Sequence, residues 1–424
     1  MSIVLFSVFA VCLILSVPVP FALIFACASA LVWHGGLPGT IVPQQIIASI
    51  DTTPLLAIPL FIVFGELVSA GSMGRRLVAF CEALVGWVRG GLAQANILAS
   101  LFFGGISGAA TADAAAIGSV MIPPMKRSGY PGPVAAVVTG SSAVMGNLIP
   151  PSIDLIIYAW LTGTPVDKLF AGGILPAMFI GSGLMFVAYR QAKFANYGVA
   201  TPFRLRTVSY RAKSALAALG MPVLIIGGIF GGFFTVTESA ALAVLYGLAV
   251  SFLWYRDLGF RDLPSVLGRA TITIGSIVFL LGAAGVFSWI MTQDRLPQEL
   301  SQYLLETLPS RHLFAFNVLL VSLLCGLFLT PATALIILTP IFYPTAMAFG
   351  FDPVHFGILL ISCLALGHVT PPVGLTLFIV SGIAREPVDA LFRPLVPYFL
   401  VLVSVVIVIS QIPAITLILP AMLE

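Results

Sequence analysis

Charge is what this sequence has least of. Asp, Glu, Lys and Arg make up 8% of its 424 residues and hydrophobic residues 59%, and the mean hydropathy is +1.11. Soluble domains carry about 25% charged residues. A chain this poor in them cannot cover itself with water-facing groups, which points to a polytopic membrane protein. The net charge of +3 offers nucleic acid no basic field, so no nucleic-acid partner is expected. The five cysteines, Cys12, Cys27, Cys81, Cys325 and Cys363, are odd in number and lack CxxC spacing; neither a disulfide framework nor a zinc site is expected. No basic segment precedes the first apolar run and no small-residue cleavage site follows it, so the run is expected to stay as a span rather than leave as a signal peptide.

What is abundant is interruption: 40 Gly and 30 Pro cut the apolar sequence into pieces. The central one is Gly104-Gly105-Ile106-Ser107-Gly108-Ala109-Ala110-Thr111-Ala112-Asp113, small residues and hydroxyls with one carboxylate. In hydrocarbon a broken backbone survives only where protein or a watery cavity satisfies its N–H and C=O groups. This run therefore reads as the tip of a re-entrant hairpin over about 92–125. A helix over about 133–163 breaks at Gly146-Asn147-Leu148-Ile149-Pro150-Pro151-Ser152, where proline removes donors and leaves carbonyls unpaired. A second hairpin, about 312–347, has its tip at 326–333, and a second helix, about 353–384, breaks at Gly367-His368-Val369-Thr370-Pro371-Pro372-Val373-Gly374. Pro18 and Pro20 split 3–34 into two short spans, and further spans are expected at about 54–72, 170–190, 216–232, 236–255, 270–292 and 395–419. Segments 35–53 and 293–311 read as polar connectors, and the stretch with Arg75, Arg76 and Arg89 as an amphipathic one. The expected fold is all-α, with about 10 full spans plus 2 hairpins.

The halves repeat. Asn96 and Asn317, Gly105 and Gly326, Pro123 and Pro344, Gly146 and Gly367, Pro150 and Pro371, and Pro176 and Pro397 each stand 221 positions apart. The loop Pro165-Val166-Asp167-Lys168-Leu169-Phe170 returns as Pro387-Val388-Asp389-Ala390-Leu391-Phe392, one residue out of register. The chain divides into a first repeat at 1–195, a basic linker at 196–215 and a second repeat at 216–424. Cytoplasmic loops are enriched in Lys and Arg. With the linker inside, all of the 19 Lys and Arg fall inside except Lys168, Arg295 and Arg311. Both termini are then periplasmic, the first hairpin enters from the cytoplasm and the second from outside, so the repeats are inverted. Inverted repeats with matching Gly/Pro-interrupted segments point to a secondary transporter whose site lies at their interface.

Several strings carry a more specific likeness: Phe103-Gly104-Gly105-Ile106-Ser107-Gly108, Ala112-Asp113 with Ala116-Ile117-Gly118, Ile149-Pro150-Pro151-Ser152, Phe234-Thr235 with Thr237-Glu238, and Thr370-Pro371-Pro372-Val373-Gly374. Over essentially its whole length the chain resembles the large membrane subunit of TRAP (tripartite ATP-independent periplasmic) transporters, in the ion-transporter superfamily. The resemblance implies a sodium-coupled importer of a small organic anion, a carboxylate or sugar acid, in the bacterial inner membrane. It implies two partners, a small four-span membrane subunit and a periplasmic substrate-binding protein, with sodium as coupling ion and no tightly bound cofactor. Four positions depart from the family's pattern. Thr330 stands where Asp is common, Cys363 where Asn is usual, Asn147 for a frequent Pro, and Val236 for the Pro of Phe-Thr-Pro-Thr-Glu.

The candidate substrate and ion site collects the four interruptions: Gly105, Ser107, Gly108, Thr111 and Asp113; Asn147, Pro150 and Ser152; Gly326, Thr330 and Thr333; and Gly367, His368, Thr370, Pro371 and Gly374. Ser107 and Thr370 are the expected sodium ligands, since a hard cation takes hydroxyl and carbonyl oxygens. An anion takes the opposite, helix N-termini with their N–H groups and positive dipole ends. Asp113 would cost about 2.5–3.5 kcal/mol at a helix centre in lipid, so it is expected to face protein or water. Thr235-Val236-Thr237-Glu238 reads as a capping box, and Glu66 and Asp154 as span-end groups that snorkel or meet water. No catalytic residue is expected. Two rivals remain: an anion symporter of the same superfamily that needs no binding protein, and an intramembrane serine protease using Gly105-Ile106-Ser107-Gly108 with His368 as base.

Overall fold

The computed structural model describes residues 1–35, 38–195, 197, 198 and 202–423. Its regular elements are all helical, the form in which a chain in hydrocarbon satisfies its own backbone. The first half comprises α1 (Ser2–Ile14), α2 (Val19–His34), α3 (Ile41–Ile50), α4 (Ala57–Ala70, entered through a 3₁₀ turn at Thr53–Leu56), α5 (Met73–Val85), α6 (Gly91–Ser107), α7 (Ala110–Arg127), α8 (Gly132–Ala143, then a 3₁₀ turn at Val144–Asn147), α9 (Ile153–Thr162) and α10 (Val166–Ala195). The second comprises α11 (Leu205–Phe230), α12 (Val236–Ala249, then a π turn at Val250–Trp254), α13 (Leu263–Gln293), α14 (Leu296–Thr307), α15 (Arg311–Gly326), α16 (Pro331–Ala348), α17 (Pro353–Gly367), α18 (Leu375–Ala384), α19 (Val388–Gln411) and α20 (Ala414–Ala421). Among the described residues, 7 helices are long and apolar enough to cross a membrane.

Both hairpins and both interrupted helices lie where the Gly and Pro runs put them, but the first tip is tighter than expected. Helix α6 continues through Gly104 and Gly105 to Ser107, leaving Gly108 and Ala109 as the turn. The two glycines stay helical because they are needed for contact. A methyl on Gly104 would lie 2.9 Å from Gly146 Cα, and one on Gly326 would lie 2.8 Å from Gly367 Cα. In each half the hairpin's first arm thus touches its interrupted helix backbone to backbone, the close approach that small residues permit between membrane helices. The peptide bonds Pro150–Pro151 and Pro371–Pro372 are both cis.

The matched elements keep the spacing of the sequence. Helices α7 and α16 are each 18 residues long and begin 221 apart; α9 and α18 are each 10 residues and begin 222 apart. The extra residue falls inside the second break, between Pro372 and Leu375. Packing crosses between the halves in matched pairs. Helix α7 lies on α18 and α16 lies on α9. The halves are interlocked rather than side by side.

Four readings need correction. Segment 35–53 is not only a polar connector: it contains α3, which packs on α13, where a methyl on Gly285 would stand 2.2 Å from Ser49 Cβ. Segment 293–311 contains α14, which buries Pro297 and Ser301. The last span ends at Gln411 and α20 resumes after Pro413, because a residue before proline avoids the helical region and proline donates no hydrogen bond. The basic linker at 196–215 is mostly the first turns of α11, while its residues 196 and 199–201 lie outside the described set. Helix α5 is the expected amphipathic connector, with Met73, Leu77, Val78 and Cys81 on its buried face.

Candidate functional site

Four helices, α2, α7, α9 and α16, begin at one place. The starts of α7, α9 and α16 border a cavity of about 350 Å³, which Val19 and Pro20 of α2 and Ser276, Ile277 and Leu280 of α13 line as well. Each helix start presents N–H groups without intrahelical partners and roughly half a positive charge. No Lys or Arg lines the cavity, so these dipole ends supply most of the positive potential an anion would meet there.

The caps explain why the helices start where they do. Ser152 Oγ accepts the Leu155 N–H at 3.4 Å and donates to the Asn147 carbonyl at 2.6 Å. Thr330 Oγ1 accepts the Thr333 N–H at 3.4 Å and pairs with the Thr333 hydroxyl at 2.9 Å. Helix α7 borrows its cap from the interrupted helix, for the Ala110 N–H donates to Asn147 Oδ1 at 2.8 Å. That bond fixes the hairpin tip against the break and leaves Asn147 Nδ2 without a partner. His368 also lines the cavity, and neither of its ring nitrogens has a partner.

Of the residues expected from the sequence, Thr111, Asn147, Thr330, Thr333 and His368 line the cavity. The others build its frame or stand behind it. Gly108 has φ +65, and a methyl there would lie 2.3 Å from the Pro151 carbonyl oxygen; a methyl on Gly105 would lie 3.2 Å from the Pro150 carbonyl oxygen. Gly326 and Gly367 form the second close approach, and Gly374 abuts the His368 carbonyl. Thr370 Oγ1 donates to the Leu366 carbonyl at 2.9 Å, beside Pro371. Ser107 is buried with its hydroxyl unpartnered, and Asp113 is fully buried with both oxygens unpartnered; neither lines the cavity. With Ser107 outside the lining and His368 within it, the cavity does not bring a serine nucleophile to its base.

The expectation of free carbonyls at the breaks fails at Asn147 and His368, whose carbonyls both accept hydrogen bonds. The Gly108 carbonyl accepts the Ile153 N–H at 3.2 Å, and the His368 carbonyl accepts from the Thr376 N–H at 3.2 Å and its hydroxyl at 2.7 Å. Sequence reasoning left Asp154 and Ser276 out of the site, yet both line the cavity. Asp154, two residues past the break and in the first turn of α9, carries a local signal in its place beside the interruption. Ser276 lies within the 31-residue α13, where nothing local marks it. The departures at 330 and 236 become intelligible. Thr330 caps α16, a task Asp also performs. Val236 takes the first helical position of α12, which favours Pro only because that N–H is unpaired in any case. The Thr235–Glu238 capping box secures that start, with the Thr235 N–H 2.8 Å from Glu238 Oε2.

The family model described as "Tripartite ATP-independent periplasmic transporter, DctM component" matches residues 6–415. The chain is 39% identical over 369 residues, 86% of each chain, to the C4-dicarboxylate TRAP transporter large permease protein DctM of Pseudomonas aeruginosa. It is 34% identical over 404 residues, 95% of this chain and 94% of the other, to the sialic acid TRAP transporter large permease protein SiaM of Vibrio cholerae. Among solved structures, the Alcanivorax borkumensis YdaH transporter matches with a TM-score of 0.64 over 88% of this chain and 87% of that one, at 14% identity. That is a likeness of fold.

Proposed function

The chain belongs to the DctM component family of the tripartite ATP-independent periplasmic transporters, and from that premise we propose that it imports a small organic anion by coupling to sodium. It is a large permease subunit and not an enzyme, and a multi-pass protein of the inner membrane. One observation carries the anion: three capped helix starts converge on a cavity without a Lys or Arg. Its about 350 Å³ lies near the lower end of small-ligand sites, about 300–1,000 Å³. The similar permeases are named for C4-dicarboxylates and for sialic acid, which supports a carboxylate as the substrate class.

Sodium is taken by hydroxyl oxygens beside the cavity. The unpartnered Ser107 hydroxyl is one ligand. Thr370 is the other, because its proton goes to the Leu366 carbonyl and its lone pairs stay open to a cation. The matched crossings of α7 on α18 and α16 on α9 support an inverted pair of repeats with the site between them, and the Lys and Arg distribution supports periplasmic termini. A small four-span subunit and a periplasmic binding protein complete the transporter. Uptake of radiolabelled succinate and sialic acid into vesicles holding all three components tests the reading. Uptake that requires sodium and stops in choline is expected; uptake of either anion unchanged in choline would remove sodium from the mechanism.

A further inference from the structure

Among the described residues, the cavity that receives the anion has one acidic side chain in its lining, Asp154. It stands in the first turn of α9 and is 6% exposed. Its carboxylate accepts no hydrogen bond and meets no Lys or Arg among the described residues, and its oxygens are not sealed in as those of Asp113 are. A carboxylate stripped of most of its water and given no donor is costly. The start of its own helix offsets part of that cost; the rest falls to whatever fills the cavity.

The pseudo-symmetry of the chain singles out the same residue. The hairpin tips contribute 109–111 and 330–332 to the lining, and the breaks contribute Asn147 and His368, all as pairs 221 apart. Within the hairpins and interrupted helices, Ile153, Asp154 and Thr333 have no such mate in the lining. The counterpart of Asp154 is Thr376, 222 positions on. Thr376 is fully buried and closes its own break, giving its N–H at 3.2 Å and its hydroxyl at 2.7 Å to the His368 carbonyl. In the first half Ser152 does that work, donating to the Asn147 carbonyl at 2.6 Å. Residue 154 is thereby released from any duty to the fold, and an acid stands there.

Other lining groups give where Asp154 takes. Asn147 Nδ2 is an unused donor, and His368 carries at least one ring N–H without an acceptor. With the starts of α7 and α16 they suit the carboxylate of an anion. Ser276 has spent its proton on the Ile272 carbonyl at 2.9 Å and, like Asp154, can only accept. We propose that Asp154 selects the substrate: the anion carried also bears a hydrogen-bond donor on its carbon chain, a hydroxyl or an ammonium group, and Asp154 accepts from it. An anion without that donor leaves Asp154 unpaired and sets two negative charges in one cavity, a repulsion that rejects it. A site built to bond a substrate donor refuses the analogue that lacks it far more strongly than an apolar pocket resolves a methylene. This deepens the organic-anion reading above and rests on it.

The test uses the complete three-component transporter in vesicles and two series that differ at one carbon: succinate, malate and aspartate, and propionate, lactate and alanine. Wild type and Asp154→Ala are compared with the same binding protein, whose own selectivity then cancels. Wild type is expected to favour a hydroxyl- or ammonium-bearing member over its unsubstituted parent, and Asp154→Ala to lower that ratio of kcat/KM by about tenfold or more. Loss for malate or lactate identifies a hydroxyl as the donor, and loss for aspartate or alanine an ammonium. Uptake with an unchanged ratio overturns the role of Asp154 alone, whereas wild-type uptake of none of the six sinks the anion reading itself and this proposal with it. Should Asp154→Ala not elute as a single folded species, Asp154→Val, close in shape to the threonine that the fold holds at 376, replaces it under the same criterion.

Discussion

Asn147 does two things with one amide, and two substitutions separate them. Its Oδ1 caps α7 through Ala110, while its Nδ2 is an unused donor among the cavity-lining groups. Asn147→Ala strands a buried N–H, which costs about 1–3 kcal/mol of stability. Asn147→Asp keeps the cap but replaces the donor by negative charge facing the anion. It is expected to melt near wild type and to raise KM at least about tenfold, equivalent to about 1.4 kcal/mol. A lowered KM in Asn147→Asp would contradict the assignment of this cavity to an anion. Asp294, outside the spans, gives a pH-dependent counterpart. Ser2 donates its N–H at 2.6 Å and also its hydroxyl, and the Met1 amine lies 3.4 Å away. The Ser2 hydroxyl foremost holds the Asp294 carboxyl below the usual carboxylate range, against a smaller effect of burial. A lowered carboxyl pKa adds stability above the unfolded value, about 3.9, and loses it as pH falls through the folded one. For this partly exposed group the contribution is at most about 1 kcal/mol. Asp294→Asn should therefore lower the melting temperature at pH 7 and lower it progressively less as the pH falls below about 3.9; an equal drop at every pH would show that the charge is irrelevant.

At the scale of elements, the hairpins and interrupted helices were legible because lipid forbids them elsewhere. Gly, Pro and hydroxyl runs such as 104–113 and 367–374 have no place in a lipid-facing wall. Helices α3 and α14 were not legible: Pro43, Gln44 and Gln45 disguise the first, and α14 lies in a segment of mixed charge. What fixes both is contact with α13 and α16, which no local pattern encodes. The cavity was half legible for the same reason, with tips and breaks readable but the α13 wall at Ser276 set by tertiary packing alone. The turn at Gly108 is where element geometry is most demanding. Its left-handed backbone costs a side chain about 1–2 kcal/mol, and a methyl would also strike the Pro151 carbonyl oxygen at 2.3 Å. Gly350, with φ +74 and nothing within 4 Å of an added methyl, shares the first penalty and not the second. Gly108→Ala is expected to abolish uptake while Gly350→Ala retains most of it. Equal retention by both would mean that the tip need not touch the break.

For the molecule as a whole, the 221-residue spacing was legible in the sequence and returns in the starts of α7 and α16, whereas the interlocking of α7 with α18 and of α16 with α9 is long-range pairing that appears only on folding. The charge distribution makes the orientation testable. Single cysteines at Val208 and Phe260 should react with impermeant thiol reagents from the cytoplasmic side only, and one at Gln302 from the periplasmic side only. Labelling of 208 and 302 from the same side would end the inverted-repeat reading. The central claim is that this chain is a sodium-driven permease whose substrate must be handed to it. Reconstitution of the chain alone, with the small subunit, and with both subunit and binding protein measures that directly. Sodium-driven uptake is expected only when the binding protein is added outside. Uptake by the lone chain at the full three-component rate would contradict the account and make the chain a self-sufficient symporter.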